Sequence, residues 1–141
     1  MENETFGVKN LSIQDILEDS LLKQAIFKQY PLLILGNLTR NTYSMITYEN
    51  FTSTKCVVAG TFDELIISGT KTMHDMDKER FKRTFSRENL LKQYKKGEEK
   101  VELRVIQEGD DGVLRRVEIT DIFVKDADSN DVLVISLNRN A

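Results

Sequence analysis

A chain of 141 residues with 40% hydrophobic and 30% charged side chains is sized for one domain with its own core. Twenty Lys and Arg against twenty-three Asp and Glu leave a net charge of −3, so nucleic acid and anionic membrane surfaces are not expected partners. No apolar run approaches the roughly 20 residues that cross a bilayer; the acidic, polar opening MENETFGVKN is not a signal peptide, and the single cysteine, Cys56, precludes an internal disulfide, so the expected location is cytoplasmic.

NLSIQDILEDSLLKQAIFKQYP reads as a helix. Ser12 is its expected N-cap, Leu11 and Ile16 form a hydrophobic staple, and Pro31 stops it by forcing Tyr30 into an extended conformation. Its apolar stripe includes Ile13, Ile16, Leu17, Leu21 and Ile26 at helical spacing. LLILGNL is a short buried strand, and GNLTRN is its turn, where Gly36, Asn37 and Asn41 offer positive φ or local side-chain bonds. TYSMITYE alternates as a second strand, with Tyr43, Met45 and Thr47 on one face. TFDEL is a capping box of Thr61 and Glu64; Asp77 is placed to cap a helix carrying Phe81 and Phe85; Ser86 caps a further helix that buries Leu90, Leu91 and Tyr94 and ends at Gly97. Three strands close the chain. VELRVI presents Val101, Leu103 and Val105 on one face, VLRRVEITDIFV follows the turn GDDG, and VLVISL is apolar throughout, as in a strand covered on both sides. The order implies an α+β domain with a five-stranded antiparallel sheet.

The chain resembles a PAS domain from Phe27 to Asn140, on the segments NLTRNTYSMITY, HDMDKERF, FSRENLLKQYKKGE and GDDGVLRRVEITDIFVKDADSNDVLVISLNRN, in that order. His74 and Asp77 form the His-x-x-Asp that precedes a helix in such domains, with Asp75 where proline is frequent, and Arg116 stands where an aromatic often begins a strand. The resemblance implies a PAS-like fold: five antiparallel strands, short helices on one face, and an N-terminal amphipathic flanking helix, with residues 1–27 as the dimerisation helix and 28–141 as the PAS domain. It further implies a non-enzymatic sensory or dimerisation module of a bacterial signalling protein, such as a diguanylate cyclase or histidine kinase. The module would bind a small molecule or partner and relay to an output domain beyond this chain. A homodimer is implied, through Ile13, Ile16, Leu17, Leu21 and Ile26 and the outer sheet face.

Candidate pocket residues are Tyr43, Met45, Phe62, Ile66, Phe81, Phe85, Leu103 and Val105, with simple core packing as the alternative for most of them. No cofactor is evident, though an unidentified small ligand is compatible. Light-sensing flavin relatives carry Asn-Cys-Arg-Phe-Leu, whereas Cys56 follows Lys55 and precedes Val57 and Val58; haem relatives use a helical histidine, and KERFKRTFSRENLLKQY has none. A metal site is poorly supported by one histidine and one distant cysteine. His74, with Asp75 and Asp77, is read as the turn that starts a helix; the alternative is a small cone-shaped α+β enzyme in which His74 and a carboxylate exchange protons. Arg115 and Arg116 read as solvated strand charges, with an anionic ligand or partner as the alternative.

Overall fold

The computed structural model describes residues 13–48 and 59–141, with side chains described within 21–46 and 59–141. Helix α1 (Ile13–Gln29) closes with Tyr30 N–H donating to Ile26 O, one residue before Pro31. Strands β1 (Leu32–Asn37) and β2 (Thr42–Tyr48) form a hairpin, and β3 (Ala59–Gly60) adds to the β2 edge. Helices α2 (Phe62–Thr72), α3 (Lys78–Phe85) and α4 (Arg87–Lys95) follow, then β4 (Lys100–Glu108), β5 (Leu114–Lys125) and β6 (Val132–Asn140). The sheet is antiparallel with order β3-β2-β1-β6-β5-β4.

Among the described residues the sheet therefore has six strands rather than the expected five. The addition is a two-residue strand, Ala59–Gly60, held by its pairing with Tyr43 and Ser44. Nothing in so short a local pattern marks a strand, because the determinant is a distant edge with free backbone groups.

The middle helices start where local chemistry directs them. Thr61 Oγ1 accepts from Glu64 N–H while the Glu64 carboxylate accepts from Thr61 N–H, a reciprocal capping box at the head of α2. Ser86 Oγ accepts from Asn89 N–H at the head of α4, and Gly97 leaves that helix with φ of +90°. Phe62, Leu65 and Ile66 of α2, Phe81 and Phe85 of α3 and Leu90 of α4 pack on the inner sheet face against Leu32, Ile34, Val105, Val117, Ile119 and Val134. Each such buried side chain contributes about 1.5–3 kcal/mol before entropy is counted.

Four local expectations are corrected. Gly36 lies within β1, where a Cβ would stand 2.7 Å from a Phe62 ring carbon, so the glycine permits close packing of α2 and not a turn. Asn41 takes the positive φ of the hairpin, at 58°. In β2, Leu33 pairs with Thr47 but Ile34 with Met45, so a bulge at Ile46 interrupts the alternation read through to Tyr48. The Asp77 carboxylate does not cap α3; it accepts from Ile106 N–H at 2.7 Å and from Arg80 Nη2 at 2.6 Å, tying the helix start to β4. Finally, β6 is fully covered on its inner side and only partly on its outer side. Val134, Ser136 and Asn138 are buried, whereas Leu133, Ile135 and Leu137 on the outer face are half-buried.

The described side chains of α1 leave much apolar surface open. Leu21, Leu22 and Ile26 stay 64%, 62% and 39% exposed, alongside exposed Leu35, Ile46 and Val124 of the sheet. Of the proposed interface residues, the side chains of Ile13, Ile16 and Leu17 lie outside the described residues, as do Leu11, Ser12 and Cys56.

Candidate functional site: a cavity with a polar floor

Between α2, α3 and the sheet lies a cavity of about 40 Å³. On this measure one water needs about 10–15 Å³, so there is room for about three water-sized groups. The helices and β1–β2 supply apolar walls, among them Leu32, Ile34, Met45, Phe62, Ile66 and Phe85. Met45 and Met73 are unbranched wall residues that can adjust to a guest. The floor, by contrast, is polar: Gln107 of β4, Asp121 of β5, and Ser136 and Asn138 of β6, all buried.

Strand geometry places these groups. Val117, Ile119, Asp121 and Phe123 share the inner face of β5 by their two-residue period, as do Val134, Ser136 and Asn138 on β6. Asp121 stands opposite Ser136 on one side and Val101 on the other, while Ile119 stands opposite Asn138. Gln107 is six residues along β4 from Val101, roughly 20 Å of extended strand, so Asp121 and Gln107 mark different ends of the lining.

At the Gln107 end the amide is anchored. The Thr72 hydroxyl gives its hydrogen to Gly69 O at 2.6 Å and so accepts from Gln107 Nε2 at 2.9 Å, which leaves Gln107 Oε1 without a partner. At the other end Asn138 Nδ2 donates to Ser136 Oγ at 3.1 Å and to Leu32 O at 3.4 Å, and Ser136 hydrogen-bonds Asp121. Asp121 is 2% exposed, and its Oδ1 has no partner. Burial raises its pKa from 3.8 to about 7, against the lowering effect of the Ser136 hydrogen bond.

Of the pocket residues named from sequence, Met45, Phe62, Ile66, Phe81 and Phe85 line the cavity. Tyr43 and Val105 are buried in the surrounding core, and Leu103 packs against it. The polar floor was missed. Its signal was available: Asp121, Ser136 and Asn138 fall on the inward phase of strands whose other inward positions include Val117, Ile119 and Val134.

His74 lies outside this lining. Its Nδ1 accepts from Met76 N–H at 3.2 Å, its backbone N–H donates to Ile106 O at 2.8 Å, and its carbonyl accepts from Asp77 N–H at 2.8 Å. The imidazole thus braces the turn before α3. Arg115 pairs with Asp111 across the β4–β5 turn, while Arg116 is exposed. Among the described residues, no group of three or more His, Cys, Asp or Glu side chains is placed to hold a metal, and no helix is long and apolar enough to cross a membrane. Compared with known proteins, the chain matches no family model and no curated protein sequence.

Proposed function

We propose that this chain is a PAS-like sensory module of a cytoplasmic signal-transduction protein, which binds a small molecule and relays its presence to an output domain. The observation that carries this reading is the inner cavity: apolar walls from helices and β1–β2, closed by a floor of buried polar side chains with unpartnered acceptors. Adaptable apolar walls with a few oriented polar groups are what a small-ligand site needs. A guest that favours one arrangement of α2 and α3 against the sheet shifts the population of that arrangement. The resemblance of HDMDKERF and the strand segments to PAS sequences supports the same reading. Exposed Leu21, Leu22 and Ile26, together with the half-buried aliphatic residues of β6, favour a homodimer through the helix and the outer sheet face.

Native mass spectrometry of freshly purified protein, followed by a ligand screen read by thermal shift, tests the proposal. The expected result is a retained or screened small molecule whose binding is lost in Ile66→Phe, which fills the cavity from its wall. A protein that retains nothing and responds to nothing, or whose binding is indifferent to Ile66→Phe, is not such a sensor.

A further inference from the structure

Three buried side-chain polar atoms among the described residues lack hydrogen-bond partners: Arg87 Nε, Gln107 Oε1 and Asp121 Oδ1. Arg87 Nε has the Asp63 carboxylate 3.6 Å away, and Gln107 already serves as the anchor for Thr72. Asp121 is different. It carries a potential full charge, and Ser136 is its one side-chain partner among the causes of its altered acidity. Among the described residues, no Lys, Arg or His side chain lines the cavity. A carboxylate in such a place must either hold its proton or receive a cation from outside.

The neighbouring hydrogen bonds narrow what can satisfy it. The Asn138 amide is spent on Ser136 Oγ and Leu32 O, and Ser136 is turned towards Asp121. Among the described residues, no free donor of this end of the floor is thereby left for Asp121 Oδ1. Resting on the reading of this cavity as a ligand site, we propose that its Asp121 end binds a small nitrogen cation of the ammonium or amidinium type, whose N–H groups pair with Asp121 Oδ1. The cavity volume of about 40 Å³ suits a head group of about three or four heavy atoms.

The proposal has a characteristic pH signature. With the Asp121 pKa at about 7 in the empty site, a cation must wait for the proton to leave. Its affinity therefore rises with pH through that value and then levels. Among the described residues, Asp121 is the sole titratable side chain lining the cavity, and its cross-strand neighbours Val101 and Ser136 do not titrate in this range, so the profile reports one group. A neutral guest that accepted a hydrogen bond from protonated Asp121 would show the opposite slope.

The experiment is ligand-observed NMR titration of the whole chain with methylammonium and acetamidinium, against acetamide and acetate, at about pH 6 and about pH 8. The expected result is binding of the two cations, about tenfold tighter at the higher pH, with at least about tenfold loss in Asp121→Asn. Ser136→Ala supplies a second reading that does not depend on removing the charge. It deletes the hydrogen bond that lowers the Asp121 pKa, so the midpoint of the affinity profile moves to higher pH. Binding of acetamide or acetate in preference to the cations, or cation affinity that ignores pH or Asp121→Asn, overturns the cation site. If a retained molecule sensitive to Ile66→Phe is found in the same preparations, the sensory reading outlives that failure. If no probe binds and nothing is retained, both fall.

Discussion

Two buried aspartates, one in the sheet and one at its margin, have opposite surroundings. Asp131, just before β6, accepts from Asn37 Nδ2 at 3.0 Å and from Arg40 Nε at 2.7 Å, and these partners hold its pKa below the ordinary 3.8. Asp121, on β5, has burial as its largest influence and Ser136 as its counterweight, and its pKa rises to about 7. The first carboxylate is satisfied by its own chain and pins the β1–β2 turn to the start of β6. The second is left with an acceptor that no described residue uses. A buried acid is thus a structural clamp or a receptive group according to the partners its neighbours supply.

The largest expected effect tests the unsatisfied member. The folded pKa of Asp121 lies above its unfolded value, so the folded state binds the additional proton, and stability falls as pH rises from about 4 to about 7 and is flat above. Each pKa unit is worth about 1.4 kcal/mol, so the full decline is about 4 kcal/mol. Asp121→Asn should abolish that slope and be the more stable protein at about pH 8, as checked by urea unfolding across the range. An unchanged slope in the variant would show that the contrast between the two aspartates is not real.

Next comes the satisfied member. The folded pKa of Asp131 is depressed, so its stabilisation is present above 3.8 and is lost as pH falls through the folded value. Asp131→Ala should therefore lower the thermal midpoint at neutral pH, and the two proteins should converge in strong acid. The same low window holds for Asp77 and Glu118, whose pKa values are also lowered, which keeps their loss separate from the Asp121 decline above it. A deficit that persists unchanged in strong acid would assign the loss to packing and not to the charge.

The smallest effect is expected at His74→Ala. This removes one exposed side-chain bond to Met76 N–H and should cost about 0.5–1 kcal/mol by denaturant midpoint, with cavity binding intact. Loss of a measurable turnover with folding retained would instead bring forward proton-transfer chemistry at this residue.

What the sequence disclosed follows from how local each signal is. The Thr61–Glu64 box and the Ser86 cap were legible because cap and partner lie three residues apart. The face of β4 bearing Val101, Leu103 and Val105 was legible from a two-residue period. Ala59–Gly60 was not, because its strand character comes from β2. Gly36 was misread because a glycine beside Asn37 resembles a turn, while its neighbour Phe62 is far along the chain. Asp77 was assigned to a cap for the same reason: Ile106, its true backbone partner, is invisible locally. The walls of the cavity were partly legible as helical aromatics. The floor was overlooked because Asp121, Ser136 and Asn138 look like solvent-facing residues by type, although their two-residue phase with Val117, Ile119 and Val134 put them on the inner face.

The adjacency of β1 and β6 also bears on how the chain acquires its shape. Leu32 pairs with Asn138 and Asn37 with Leu133, so the middle of the sheet joins segments roughly a hundred residues apart in the chain. During synthesis the helices can form early, but the hairpin at one end must wait for the final strand to emerge before its free edge is capped. Until then that aliphatic edge is open to foreign strands, and the nascent domain is at its most prone to aggregation.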